Sequence, residues 1–483
     1  MKTHLVRFLL ASAFALLSLS LRAADPLIDS WFTSYSGKYA RIYATDADKN
    51  SGNPVSTWTR GAISQTIPAR CGVYFVGSSA GWVYIRSTGL ASHIMGPWYL
   101  NAAHTMIFPN LPRNTATLYR IPRHPTVTGT KTLTGLGPIG YFVDGVAMFD
   151  TRDAFYWNGA SEVNGSGNWN RDAYVNESVT FDPGLAHQPQ DGTHHYHANP
   201  IALRYLLGDH VEFNAATKTY SESTNAVTTH SPILAWVRDG YPLYGPYGYS
   251  NATNSSSSVR RMVSGYVLRN GQNGTQNLPL TGRTNIPAWA ARLYNVPANQ
   301  VSGPNVSTTY PLGRYMEDND YLGDLGRTQG ADFDLDEYNG RFCVTPEFPN
   351  GTYAYFVSIN NNGAPAFPYN IGRAFYGNPT GGSVASIAET VVTNFVGGSN
   401  SVLSLRTPPA PGVAGDITLT WSSVEGGTYI VSGTSNFQSW TTNLAPPVTA
   451  TGIVATATDP ASAATNLSRF YRVTRSALAT SAN

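Results

Sequence analysis

The sequence predicts a mainly β protein: a large antiparallel β domain with a few short helices, followed by a small β-sandwich. Three observations carry this. Glycine, proline and tyrosine are abundant, at 46, 31 and 29 of 483 residues, a composition suited to many turns between many strands. Asp144-Gly145 and Asp239-Gly240 each stand between short apolar runs, a strong hairpin signal. Past residue 415 charge almost vanishes, and short segments such as Ile417-Thr-Leu-Thr-Trp421 alternate apolar and polar residues, the period of half-buried strands.

At the N-terminus, Lys2 and Arg7 precede an apolar run from Phe8 to Leu21, then Arg22-Ala-Ala-Asp25. Residues 1–24 read as a secretory signal peptide, so the mature protein is expected in the periplasm or secreted. The run is short for a transmembrane helix, and no later stretch is long and apolar enough to span a bilayer. Net charge is +2 with 12% charged residues and no basic stripe, which argues against nucleic acid as a partner. An extracellular polymer or a cell-surface component is the partner class that export leaves. Cys71 and Cys343 are the only cysteines. Export permits a disulfide between them, and two buried thiols are the alternative.

Residues 25–395 form the expected large domain. Val73–Val76 and Trp82–Ile85 flank a Gly/Ser turn and predict a hairpin; Thr105–Phe108 and Thr117–Ile121 predict further strands. The two Asp-Gly turns predict hairpins over 140–149 and 233–245. Helices are expected only at 200–207, started by Asn199-Pro200 and stopped by Gly208, and at 287–294. Residues 396–415 are rich in Gly, Pro and Ser and read as a linker. Residues 416–483 read as the sandwich module, with Trp421, Tyr429 and Trp440 as its aromatic core.

The most informative stretch is Asp191-Gly-Thr-His194-His195-Tyr196-His197, which holds three of ten histidines. On a strand, side chains alternate between faces, so His195 and His197 share one face and His194 and Tyr196 the other. The α-carbons of the pair lie about 6.6 Å apart, close enough for the rings to converge on one ion. His187 is the expected third ligand and His93 a fourth candidate from another segment. Imidazole ligands point to Cu or Zn. Asp191 or Asp182 is expected to fix the ring tautomers. For an isolated pair, structural histidines bonded to backbone are the better explanation, and the nearby His187 brings the metal reading level with it. A second reading is an extracellular hydrolase or lyase in which the histidine pair works with Asp144, Asp239 and Arg238. For both aspartates, however, the turn itself supplies a structural reason. A third reading is a glycan-binding or surface-display protein, carried by the many aromatics. The acidic run Asp332-Phe-Asp-Leu-Asp336 is expected to be a strand with its carboxylates toward solvent. As a calcium loop of the EF-hand type it lacks the glycine needed at its sixth place, where Glu337 stands.

Several blocks together resemble the YHYH domain family of exported bacterial proteins: Ser87–Gly96, Gly140–Phe149, His194–His197, Asp239–Pro246, Asp332–Glu347 and Gly351–Phe356. The resemblance spans roughly residues 70–380. His194 stands where the family signature usually has tyrosine, while the His195 and His197 positions are kept. The resemblance names a domain and implies no particular reaction.

Overall fold

The two Asp-Gly hairpins lie at the middle of the largest sheet. The computed structural model describes residues 25–397 apart from 34 and 300, and in the C-terminal region residues 405–406, 416–423, 428–435, 439–441, 446–451, 454–459 and 469–477. The expected signal peptide and most of the 396–415 linker lie outside these residues. Among the described residues, no helix is long and apolar enough to cross a membrane.

The architecture is mainly β with a few short helices, as composition and turn signals predict. The eight strands of the largest sheet run, from one edge, Ala186–His187, His195–Tyr196, Ala147–Met148, Gly140–Phe142, Ile233–Val237, Pro242–Tyr244, Thr352–Phe356 and Gly340–Cys343. Most neighbours are antiparallel. Two pairings are parallel, where separate hairpins meet side by side: His195–Tyr196 on Ala147–Met148, and Pro242–Tyr244 on Thr352–Phe356. A five-stranded sheet contains the expected hairpin, seen as Val73–Ser78 and Trp82–Ser87, with Thr117–Pro122 beside it. One buried apolar cluster joins the two sheets, including Val76, Ile85, Phe142, Trp236 and Phe356.

Each Asp-Gly turn is closed by its own aspartate. Asp144 Oδ1 accepts from the Val146 amide at 3.2 Å, and Asp239 Oδ1 from the Tyr241 amide at 3.3 Å. Gly145 has φ +83°, and a Cβ there would overlap Ser87 Oγ and sit 2.8 Å from the Gly72 carbonyl carbon. Only glycine accommodates both the backbone and the close approach.

The helix expected at 200–207 spans Ile201–Leu206, and that at 287–294 spans Ala288–Tyr294, but they are not the only ones. Pro26–Thr33, Asp46–Ser51 and Ala173–Glu177 are also helical, the last two capped by the side chains of Thr45 and Asp172. Asn199 does not cap Ile201–Leu206. Its Oδ1 instead accepts from the fully buried Arg204, whose guanidinium also binds Asp209 at 2.7 Å and Glu222. A buried arginine must satisfy its donors locally, and the asparagine is recruited for that.

Three further expectations are corrected. Thr105–Phe108 is not a strand and makes a single bridge from Ile107 to Tyr99. The acidic run is turn and loop, and two of its carboxylates point inward: Asp334 accepts from Arg260 at 2.6 and 2.8 Å, and Asp336 from Tyr353 at 2.9 Å. Trp440 stands outside the C-terminal core, under the Arg472 guanidinium at 4.6 Å. That core is built from Leu419, Trp421, Tyr429 and Val431, contributed by two three-stranded sheets. Cys71 and Cys343 are both buried free thiols.

Two tests follow from the Asp144-Gly145 turn. Gly145→Ala is expected to destabilise the protein by about 2 kcal/mol or more. A change of under about 0.5 kcal/mol in chemical denaturation would contradict the strained contact described here. Burial pushes the Asp144 carboxyl up to about 6, so the folded state holds this proton more tightly than the unfolded chain does. The associated stability is fully present below about pH 4 and is lost as pH rises through about 6. Asp144→Asn should flatten that part of the decline when urea unfolding is followed between about pH 4 and 7.5. Equal slopes in the two proteins would show that the carboxyl does not titrate this way.

Candidate metal centre

His187 and His195 face each other across the antiparallel pair at the sheet edge, and their ring centroids are 4.6 Å apart. His197, two residues beyond His195, turns to the same side, with centroids at 4.7 and 5.6 Å from the other two. The expected triad is therefore assembled. All three histidines are buried. Phe149 stacks on His195 at 3.9 Å and Phe181 meets His187 edge-on at 4.7 Å, giving the cluster an apolar wall.

The hydrogen bonds decide which nitrogens face inward. His195 Nδ1 lies 2.9 Å from the Thr193 carbonyl, and His197 Nδ1 lies 2.6 Å from the Asp150 carbonyl. A carbonyl only accepts, so both Nδ1 atoms carry protons. His187 Nδ1 lies 2.7 Å from Thr180 Oγ, whose own proton is donated to the Glu177 carbonyl at 2.7 Å. Thr180 therefore accepts, and the third Nδ1 is also protonated. All three Nε2 atoms are left to face the centre of the cluster. This is the outer-shell arrangement that orients metal-binding imidazoles. It is built from two carbonyls and a hydroxyl rather than the expected Asp191 or Asp182. Asp191 instead caps its own turn, accepting from the Thr193 amide at 2.9 Å.

His195 Nε2 and His197 Nε2 are 2.9 Å apart. Two bare lone pairs at that distance repel, so a proton or a cation must lie between or beside them. The group that completes the set carries no signal in the sequence. Glu177 ends the helix Ala173–Glu177, which Asp172 caps by accepting from the Val175 amide at 2.9 Å. Glu177 Oε2 lies 3.2 Å from His197 Nε2 and 3.4 Å from His187 Nε2. Atoms bound to one tetrahedral ion at about 2.0–2.1 Å stand about 3.3 Å apart, which matches this spacing. No local motif marks Glu177, because the tertiary fold alone brings it within reach.

Burial pushes His187 down to about 3, and burial together with its two histidine neighbours holds His195 well below the usual range. Burial also works against protonation of His197, but the Glu177 carboxylate outweighs it and raises that ring. Glu177 is correspondingly held low, its burial offset by His197. These opposite shifts favour a proton between His197 and the Glu177 carboxylate while leaving His187 and His195 as neutral donors. The Glu177 side chain is 28% exposed, so the cluster meets solvent on that side.

His93 is not part of this triad. It lies with Asp182 and His194 in a separate buried group. His194 does leave the face of His195 and His197, as alternation predicts. The residues invoked for a hydrolase lie elsewhere in their own contacts. Asp144 and Asp239 close turns, Asp239 also accepts from Tyr355 at 2.6 Å, and Arg238 donates to the Gly381 carbonyl. In the C-terminal region, Trp421 and Tyr429 are fully buried core residues.

A family model described as YHYH protein matches residues 118–367, just over half of the 483-residue chain. The matched span contains Glu177, Thr180, His187, His195 and His197. It leaves out Ser87–Gly96, which the resemblance read from the sequence had included. No curated protein and no solved structure matches the chain.

Thr180→Val removes the acceptor for His187 Nδ1 with little change of shape. It is expected to weaken zinc or copper binding by about 10- to 100-fold, and, because the buried Nδ1–H loses its acceptor, to destabilise the ion-free protein by about 1–3 kcal/mol. Unaltered affinity in a competition titration would show that His187 needs no such orientation.

Proposed function

The chain belongs to the YHYH protein family, and we propose that it is an exported metal-binding protein holding one copper or zinc ion. His187, His195 and His197 supply Nε2 ligands and Glu177 supplies a carboxylate oxygen. The observation that carries this reading is the outward anchoring of all three Nδ1–H groups, which commits three lone pairs to one point. Structural histidines have no need of that shared direction, because a core imidazole is satisfied when its two nitrogens find separate partners.

The donor set fits the chemistry of the ion. Neutral imidazoles with one carboxylate suit borderline divalent metals. Copper(II) binds such sites more tightly than zinc, so the occupant is set by supply as well as by ligands. The basic flank and apolar run at residues 2–21 support an exported location, where copper and zinc are not governed by cytoplasmic buffering. The apolar wall of Phe149 and Phe181 keeps water off the far side of the rings, and the partly exposed Glu177 gives an ion its way in.

Elemental analysis of the purified full chain, expressed with added zinc or copper, tests the proposal. His195→Ala combined with His197→Ala is expected to remove about one equivalent of metal per chain. Wild-type content under about a tenth of an equivalent, or content untouched by the double substitution, would rule the site out.

A further inference from the structure

Behind the strand that carries His195 lies a second group of ligand-type side chains, on the opposite face. His194 is fully buried, and among the described residues neither of its ring nitrogens has a hydrogen-bond partner. His93 is also buried, and among the described residues both of its nitrogens likewise lack one. Its nearest charged neighbour is Asp182 Oδ2 at 3.8 Å, too long for a hydrogen bond but close to the separation of two ligands on one ion. Four unpaired nitrogens on two buried imidazoles are exceptional, because buried polar atoms almost always find partners.

Asp182 makes the case stronger. Its side chain is fully buried. Oδ2 accepts from the Gly96 amide at 2.7 Å, and Oδ1 from the Gly184 and Ala186 amides at 2.9 and 3.1 Å. Three amide donors fix the direction of the carboxylate. No arginine or lysine forms an ion pair with it among the described residues. The ligand atoms of His93, Asp182 and His194 lie within 4.8 Å of one another. Trp98 meets the His194 ring edge-on at 5.9 Å, closing the group against the core.

We infer that His93, Asp182 and His194 form a second site for a divalent transition metal, back to back with the first through the strand His195–Tyr196. The two sites differ in exposure. The first meets solvent at Glu177, whereas every member of the second is buried, which suits an ion held for structure. Strand alternation generates the pair, because adjacent residues His194 and His195 point to opposite faces. The second site also joins segments that the family match does not: His93 lies outside residues 118–367, while Asp182 and His194 lie within them.

The test counts zinc in the full chain, expressed with added zinc and freed of loosely bound metal. Wild type is expected to hold two equivalents. His194→Phe, which keeps the ring against Trp98 and removes both nitrogens, should hold one. His195→Ala with His197→Ala should also hold one, the residual ion being that of the second site. Zinc content unchanged in His194→Phe overturns the second site and leaves the first standing. One equivalent in wild type that only His194→Phe removes supports the second site and overturns the first. If His194→Phe fails to fold, the double alanine variant decides: a retained equivalent supports the inference, and an empty protein overturns it, leaving bridging water as the occupant.

Discussion

A parallel ladder only two residues long ties the site to the rest of the molecule. His195–Tyr196 lies beside Ala147–Met148, with His195 opposite Ala147 and Tyr196 opposite Met148. This junction brings the end of the 140–149 hairpin against the histidine strand. Asp150, just past the hairpin, then presents its carbonyl to His197, and Phe149 covers His195. The hairpin depends in turn on the Asp144-Gly145 turn, where backbone, Ser87 and Gly72 leave no room for a side chain. A short ladder of this kind has few hydrogen bonds of its own. It is held by the buried cluster beneath it, in which Phe142 and Tyr196 meet edge-on at 5.1 Å.

That anchoring explains why imidazoles with converging lone pairs are tolerated. Bringing unprotonated Nε2 atoms together costs electrostatic energy, which a proton shared with Glu177 or a bound ion offsets. The protein sustains it because each ring is fixed from behind by an acceptor that cannot turn away: two backbone carbonyls and a hydroxyl whose proton is already committed. The Glu177 carboxylate then sets the charge of the cluster. Such preorganisation is expected of a site that must accept an ion without rearranging. On the reverse face the same principle acts through three amides that hold Asp182.

Much of this is legible in the sequence, and what is legible has local causes. Asp-Gly pairs between apolar runs mark hairpins because the turn chemistry is contained in two residues. His195 and His197 share a face because strand geometry has a period of two. His187 is readable as a partner because it lies across one turn. Glu177 and Thr180 are not readable, since nothing in Ala173–Thr180 distinguishes a ligand from an ordinary helix end. The inward-facing Asp334 and Asp336 are missed for a related reason: alternation assigns them to solvent, but the segment is a loop, and Arg260 and Tyr353 reach it from other strands.

By itself the sequence determined the strand-rich class, the positions of the hairpins, the two short helices and the pairing of His195 with His197 on one side of the chain. These follow from backbone sterics and periodicity, which act over a few residues. The tertiary structure decided which atoms the imidazoles present, that Glu177 joins them, and that His93 belongs with Asp182 and His194 instead. Those outcomes rest on hydrogen bonds and burial between segments up to about a hundred residues apart, such as His93 and His194. Such contacts exist only once the sheets have packed, because no local rule sets the distance between side chains on separate elements.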